Sequence, residues 1–327
     1  MSKLIIVNGE NGGSHDVAFL VLLLKESVLC GPFLYFGHSM LQKERSHTKR
    51  LRKMKAHLNV YACGEYDQIG GIIVKKNFFS SKLAVILSLI IVLVSSLVAH
   101  SVQTNFGSVT VKDVRFVGNN GNLLSAKLFT PTGMNPQEKQ PAILTMHGYI
   151  NTREVQDSFN IEFARRGYVV LAMDMQGHGY SEQEPVEVTS RGAIAGLTYL
   201  RGLGFVDQEK IAVEGHSMGG WSTLAAATTN PEWIHTVIQV GSSTETYGAG
   251  EVTADTEFNY AIVFGKYDEF AKLMWEVPQA KQIADTDKIK KVFGTEESVT
   301  PKQLYGSFED QSARTLYIPN ETHPSNH

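Results

Sequence analysis

The sequence predicts an α/β protein with a mostly parallel central sheet, helices on both faces, and one transmembrane helix preceding it. The first observation is that, from residue 108 onward, short apolar segments rich in β-formers alternate with segments of helical spacing. The second is that several of these strands are apolar along their length, as expected of strands covered on both faces. The third is an uncharged apolar stretch at residues 83–99.

Composition supports this class and excludes others. The chain has 327 residues, of which 43% are hydrophobic and 19% charged, enough for one large α/β domain or two ordinary ones. Such values exclude a disordered or collagen-like chain, and two cysteines exclude a disulfide framework. Residues 1–82 carry 12 basic and 6 acidic residues, whereas residues 83–327 carry 18 and 27. The acidic second part is not expected to bind nucleic acid.

The apolar stretch reads LAVILSLIIVLVSSLVA. Seventeen residues form a helix of about 25 Å, slightly short of a hydrocarbon core of about 30 Å. Lys75, Lys76 and Lys82 flank its N-terminal side, whereas the first charged residue on the other side is the distant Lys112. The positive-inside rule therefore predicts a single-pass membrane protein with a cytoplasmic N-terminus and an extracytoplasmic second part. The alternative is secretion after signal cleavage near residue 99 or 101.

The N-terminal extension, residues 1–73, lacks a recognisable domain pattern. We expect either a disordered arm or translated upstream sequence. The second interpretation rests on residues 69–76, where a Gly-Gly pair can be encoded by a ribosome-binding sequence and Val74 by a GTG start codon. The chain thus divides into the extension at 1–73, a signal-anchor segment at 74–100 and an α/β domain at 105–327.

Each element of the α/β domain follows from its residue types. Strands at 108–117 and 123–129 flank Gly118-Asn119-Asn120-Gly121, which is a hairpin signal. Helical spacing, ending at a glycine where the chain offers one, predicts helices at 153–166, 188–203 and 221–229. Short apolar runs predict further strands at 141–146, 168–173, 211–214, 235–240, 259–264 and 314–318.

The strongest chemical motif is Gly215-His216-Ser217-Met218-Gly219, between a predicted strand and a predicted helix. A G-x-S-x-G sequence in this context predicts a nucleophile elbow, in which the serine occupies a strained turn. Glycines are needed there because side chains would collide with neighbouring backbone. The helix N-terminus behind Ser217 would stabilise an oxyanion.

Two further motifs extend the pattern. His147-Gly148 follows the strand at 141–146, and a D-x-x-G-x-G-x-S sequence begins at Asp174. Together with the elbow, they resemble the α/β-hydrolase family over residues 108–323. The resemblance implies the α/β-hydrolase fold and a serine hydrolase that cleaves carboxylic esters of small-molecule acyl substrates, without metal or organic cofactor. Alternatives are a peptidase or acyltransferase with the same residues, or a non-catalytic membrane-anchored binding module.

The resemblance also assigns roles. It implies Ser217 as nucleophile, His323 as base and Asp268 as the orienting acid, in the family's chain order. The backbone N–H groups of Tyr149 and Met218 would form the oxyanion hole. Structural roles near the site are implied for His147, Gly148, Asp174 and His178.

Several alternatives stay open at this level. His327 is a second candidate base and Glu269 a second candidate acid, whereas His235 begins a strand and is badly placed. Asp255 and Asp287 are expected to be surface charges. The family normally adds a helix after its base, so we expect the domain to be C-terminally truncated. Residues 269–312 have a helical pattern and are expected to cover the site, and the sequence does not indicate an oligomeric state.

Overall fold

A computed structural model describes residues 3–7, 19–23, 66–69, 72–75, 81–135, 137–183 and 189–325. Two compact units divide the chain, one ending at Leu93 and one beginning at Val94. The first contains two antiparallel hairpins, β1 (Lys3–Val7) with β2 (Phe19–Leu23) and β3 (Tyr66–Ile69) with β4 (Ile72–Lys75). Most of the expectations for residues 1–73 fall on positions outside the described residues.

Helix α1 (Ser81–Gln103) contains the predicted apolar stretch. Its segment Lys82–Gln103 is long and apolar enough to cross a membrane, judged by length and composition. Residues 82–100 are all exposed, including the many leucine and isoleucine side chains. An apolar helix without a covered face is unfavourable in water. The helix therefore fits a membrane anchor or a signal sequence.

The second unit is built on an eight-stranded sheet of order β12-β11-β10-β9-β7-β8-β6-β5. Strand β6 alone runs against its neighbours, and every other pairing is parallel. The predicted mostly parallel sheet is thus confirmed. The strands are β5 (Val109–Val117), β6 (Leu123–Pro131), β7 (Gln140–Met146), β8 (Val169–Met173), β9 (Val206–His216), β10 (Thr236–Val240), β11 (Asn259–Val263) and β12 (Arg314–Tyr317).

Helices cover both faces of this sheet, and they are α2 (Asp157–Arg165), α3 (Ala193–Gly202), α4 (Met218–Thr229), α5 (Ala271–Trp275) and α6 (Asp287–Phe293). Strand β8 is buried along its whole length, and its side chains alternate between two apolar clusters. Val170 packs in the cluster that contains Ala164 of α2, whereas Leu171 packs with Leu197 of α3 and Leu224 of α4.

Three predicted elements differ from those observed. The helix predicted at 188–203 begins only at Ala193, because Gly192 has a φ of 93° and ends a turn. The helix predicted at 153–166 starts as a 3₁₀ turn, Arg153–Gln156, before α2. Residues 269–312 form only α5, α6 and the 3₁₀ turn Ala280–Asp285, with turns between them. The remaining strands are confirmed to within a few residues, except that β9 begins five residues before the predicted position.

The strand register brings the functional loops to one edge of the sheet. Met146 pairs with Gly215, and His216 pairs with Val240, which in turn pairs with Val263. The chain therefore leaves β7, β9, β10 and β11 at the same level. Carboxyl ends of parallel strands are where α/β proteins place ligand sites.

A buried carboxylate lies just beneath this edge. Glu214 is inaccessible to solvent, and the side-chain amide of Gln156 donates to both of its oxygens at 3.2 and 3.0 Å. The same amide donates to the backbone oxygen of Met146 at 3.1 Å. Burial raises the pKa of Glu214 from its ordinary value of 4.5 to about 8, because the interior disfavours the charged form.

The pKa of Glu214 makes stability depend on pH. The folded state binds a proton that the unfolded state releases between pH 4.5 and about 8, so stability falls as pH rises through this window. Between pH 6.5 and 8 we expect a loss on the order of 1–2 kcal/mol. Urea unfolding at both pH values should show this slope in the wild type and a flatter one in Glu214→Gln. An equal slope in the variant would contradict this assignment.

Close backbone contact sets the position of α4. A Cβ on Gly219 would lie 2.2 Å from the backbone oxygen of Met146 and 2.4 Å from that of His147. A Cβ on Gly215 would lie 2.4 Å from the carbonyl carbon of Gly219. These neighbours are backbone atoms at strand ends, so they have little freedom to move aside. The first turn of α4 therefore lies directly against the ends of β7 and β9.

Replacing Gly219 tests this contact. We expect Gly219→Ala to lower the free energy of unfolding by more than about 3 kcal/mol, because overpacking against backbone cannot relax. The matched control is Gly202→Ala at the end of α3, where a Cβ meets nothing within 4 Å. Alanine is the better helix former there, so the control should be neutral or stabilising. Thermal unfolding of both variants measures the difference. Similar melting temperatures would contradict the close backbone contact at Gly219.

Candidate active site

Ser217 lies in the sharp turn between β9 and α4. Its φ of 52° and ψ of −118° place a residue other than glycine in a strained region of the backbone. The backbone N–H of Ser217 donates to the oxygen of Val240 at 2.8 Å, which fixes the turn to the neighbouring strand. The serine hydroxyl is thereby presented at the edge where the loops converge.

Ser217, His323 and Asp268 form a continuous hydrogen-bonded chain. The Nε2 atom of His323 lies 2.9 Å from the Ser217 hydroxyl, and its Nδ1 atom lies 2.7 Å from a carboxylate oxygen of Asp268. A carboxylate only accepts, so Nδ1 carries the proton and Nε2 is free to accept from the serine. His323 and Asp268 are both buried. The structure thus brings together three residues separated by up to 106 positions.

Two residues without a predicted role hold the hydrogen-bonded series of Ser217, His323 and Asp268 in place. The backbone N–H of Phe270 donates to the second oxygen of Asp268 at 2.9 Å, and its ring packs edge-on against His323 at 4.5 Å. His216 contacts the backbone oxygen of His323 at 3.0 Å through Nε2, which donates because a carbonyl only accepts. The bond from the N–H of Phe270 to Asp268 could have been expected from the sequence, because Phe270 lies two residues after the predicted acid. Nothing in the sequence indicates the bond from His216.

Tyr149 and Met218 offer two backbone N–H groups beside Ser217. Met218 is the first residue of α4 and directly follows Ser217. Tyr149 follows Gly148, where an added Cβ would lie 3.3 Å from the Cβ of Ser217. Within the described part of the chain, neither N–H donates to another group. Unpaired donors next to a nucleophile are the geometry that an oxyanion needs.

His147 holds the loop that carries Tyr149. Its Nε2 accepts from the backbone N–H of Met175 at 3.1 Å, so Nδ1 carries the proton and donates to the oxygen of Gly148 at 2.8 Å. In a trans peptide the N–H points away from the carbonyl oxygen, so this bond turns the N–H of Tyr149 outward from His147. Burial lowers the pKa of His147 to about 4, which keeps this neutral form at ordinary pH.

Asp174 joins the same loop to the one that follows β8. Its buried carboxylate accepts from the backbone N–H of Arg153 at 2.9 Å and from that of Tyr180 at 3.1 Å. His178 lies on this second loop, where its ring is 5.3 Å from His147 and 6.3 Å from Tyr149, measured between ring centres. Neither residue contacts Ser217 or His323.

The other candidates lie elsewhere. His235 hydrogen-bonds to Ile211 at the opposite end of the sheet from Ser217. Glu269, Asp255 and Asp287 are exposed, and His327 lies outside the described residues. Helix α5 does flank the site, since it begins directly after Phe270, whose ring contacts His323. The indole N–H of Trp275 in this helix donates to the backbone oxygen of Ser242 at 3.1 Å.

Comparison with known proteins adds a family match. The model of the X-Pro dipeptidyl-peptidase (S15) family matches residues 120–262, a little under half of the chain. An uncharacterized protein of Mycobacterium tuberculosis is 28% identical over 122 residues, which cover 37% of this chain and 33% of that protein. The quorum-quenching protein AidA of Acinetobacter baumannii is 31% identical over 121 residues, 35% of this chain and 38% of that protein.

The chain therefore spans well under half the length of these curated relatives. Among solved structures, a dienelactone hydrolase-like promiscuous phosphotriesterase from metagenomic libraries shares 16% identity. The superposition covers 66% of this chain and 84% of that one, with a TM-score of 0.47. The sheet order with its single antiparallel strand, the elbow at Ser217 and the family match lead to one assignment. The chain has the α/β-hydrolase fold.

Proposed function

We propose that the protein is a serine hydrolase that cleaves acyl bonds through Ser217, His323 and Asp268. The observation that carries the proposal is the hydrogen-bonded chain of these three residues, at 2.9 and 2.7 Å. Beside it are the backbone N–H groups of Tyr149 and Met218, which have no partner among the described residues. A nucleophile, a base, an orienting acid and an oxyanion site in one place match the requirements of acyl transfer.

The reaction then follows from the protonation states. The Ser217 oxygen attacks the substrate carbonyl carbon while its proton passes to Nε2 of His323, and Asp268 stabilises the resulting imidazolium. The N–H groups of Tyr149 and Met218 bind the oxyanion. His323 next gives its proton to the leaving group, whose bond to carbon breaks and leaves an acyl-enzyme. Water, deprotonated by His323, hydrolyses this ester and restores Ser217.

We further propose carboxylic esters as the substrates. A dipeptidyl-peptidase recognises a free α-amine, for which an available carboxylate is the natural partner. In the described part of the chain, the buried carboxylates at this edge of the sheet are already bonded: Asp268 to His323, Asp174 to backbone N–H groups and Glu214 to Gln156. Peptide cleavage is the second candidate, and the match to the X-Pro dipeptidyl-peptidase model favours it.

Labelling with a fluorophosphonate probe tests the proposal on the full chain in isolated membranes. We expect the wild type to be labelled and Ser217→Ala not to be, because only an activated serine reacts. Ser307→Ala, in a turn far along the chain, is the matched control and should label normally. Asp268→Asn should label at least about 100-fold more slowly, since the imidazole loses its correct tautomer.

A folded wild type that resists labelling would contradict the serine mechanism and favour a binding module. The same preparations, assayed with nitrophenyl esters and dipeptidyl nitroanilides, would then separate the two substrate classes. Turnover of the nitroanilides alone would exclude the ester proposal.

We propose that α1 anchors the protein in a membrane with the catalytic unit on the extracytoplasmic side. The exposed apolar length of Lys82–Gln103 and the lysines before it support this orientation. The protein should stay with membranes after alkaline carbonate extraction, and protease added outside intact cells should degrade the catalytic unit. Release as a soluble protein beginning near residue 100 would instead establish signal cleavage.

A further inference from the structure

Ile150 occupies an unfavourable backbone conformation beside the oxyanion donor. Its φ is 59°, and among the ten described residues other than glycine with positive φ it is the only β-branched one. Branching at Cβ makes this left-handed region especially costly, so such a residue is a genuine outlier. Outliers of this kind concentrate at functional sites, where surrounding structure maintains them.

The side chain gains nothing from burial that would offset this strain. Ile150 is 76% exposed, and Tyr149 next to it is 67% exposed. Asparagine or glycine would adopt this conformation with less strain and would suit a solvated turn better. Ile150 therefore destabilises the free protein in two ways, through its backbone conformation and through its exposed apolar side chain.

The loop cannot relax to remove the strain, because both of its ends are fixed. At one end the oxygen of Gly148 accepts from Nδ1 of His147, and at the other the N–H of Arg153 donates to Asp174. Both bonds involve buried side chains. Ile150 is thus held on the loop that passes Ser217.

A second exposed apolar side chain lies near the nucleophile. Phe270 is 38% exposed, and its ring centre lies 4.5 Å from that of His323, which bonds to Ser217. Ile150 is two residues from Gly148, where a Cβ would lie 3.3 Å from the Cβ of Ser217. An acyl chain attached to a carbonyl at Ser217 would meet apolar side chains in this space.

We propose that Ile150 is a specificity-determining residue that binds the apolar acyl chain of the substrate. Covering its side chain would provide the hydrophobic gain that is missing in the free protein. The substrates would then be esters of acyl groups longer than acetyl. This inference rests on the proposed serine hydrolase function and adds the substrate class to it.

Three substitutions separate the side chain's contact from its backbone strain. Ile150→Leu keeps an apolar side chain without branching at Cβ, Ile150→Ala removes both the contact and the branching, and Ile150→Asn also introduces a residue type that tolerates the left-handed region. The control is Lys302→Asn, because Lys302 is exposed with a φ of 70° on the loop that bonds to the edge strand β12.

The readout is kcat/KM for nitrophenyl octanoate relative to nitrophenyl acetate, measured on the full chain in detergent. We expect Ile150→Ala and Ile150→Asn to lower this ratio about tenfold, whereas Ile150→Leu and Lys302→Asn leave it within about twofold. Ile150→Asn and Lys302→Asn should each raise the melting temperature, by about 2–4 °C for the isoleucine site. Fluorophosphonate labelling should be unchanged in the Lys302→Asn control.

A constant octanoate-to-acetate ratio of kcat/KM across the Ile150 variants would overturn the acyl-chain role of Ile150. Normal fluorophosphonate labelling of the wild type would at the same time support the serine hydrolase function. A wild type that neither labels nor hydrolyses either ester contradicts the proposed function, and this inference falls with it. Equal loss of the ratio in the Lys302 control would also overturn the role, since the effect would then not be local.

Discussion

The approach of α4 to the ends of β7 and β9 is the contact on which the site depends. Gly215 and Gly219 leave room for backbone to pass within contact distance, and the turn between them forces Ser217 into its strained conformation. The same approach brings the first turn of α4, with the N–H of Met218, and the loop after β7 together beside the serine. A larger separation would preserve the sheet but move the two proposed oxyanion donors apart.

Around this contact, the loops are connected mainly by side chains bonded to backbone. His147 fixes Gly148, Asp174 fixes Arg153, and His216 bonds to the backbone oxygen of His323. The second and third of these bonds, and the bond from the N–H of Met175 to His147, join loops that follow different strands. Their positions are therefore coupled, and a buried network of this kind favours one arrangement of the site over its alternatives.

Much of this arrangement was predictable from the sequence. The mostly parallel sheet follows from apolar strands alternating with helices, and Ser217 follows from glycine spacing between a strand and a helix. The structure also brings together the expected Asp268 and His323, whose catalytic roles remain a proposal. The roles of His216 and Ile150 were not predictable, because they depend on a contact across 107 positions and on a backbone angle. Helical spacing at 269–312 was misleading, since polar turns interrupt it after few residues.

The long sequence separation between the nucleophile and its base has a consequence for biosynthesis. Ser217 and the whole oxyanion loop are translated about a hundred residues before His323, and the loop bearing His323 is held through its bond to His216 and its ring contact with Phe270. A nascent or partly folded chain thus carries a serine without its general base. On the proposed mechanism, hydrolytic activity would arise only after the final strand has docked, so the onset of activity would report completion of folding.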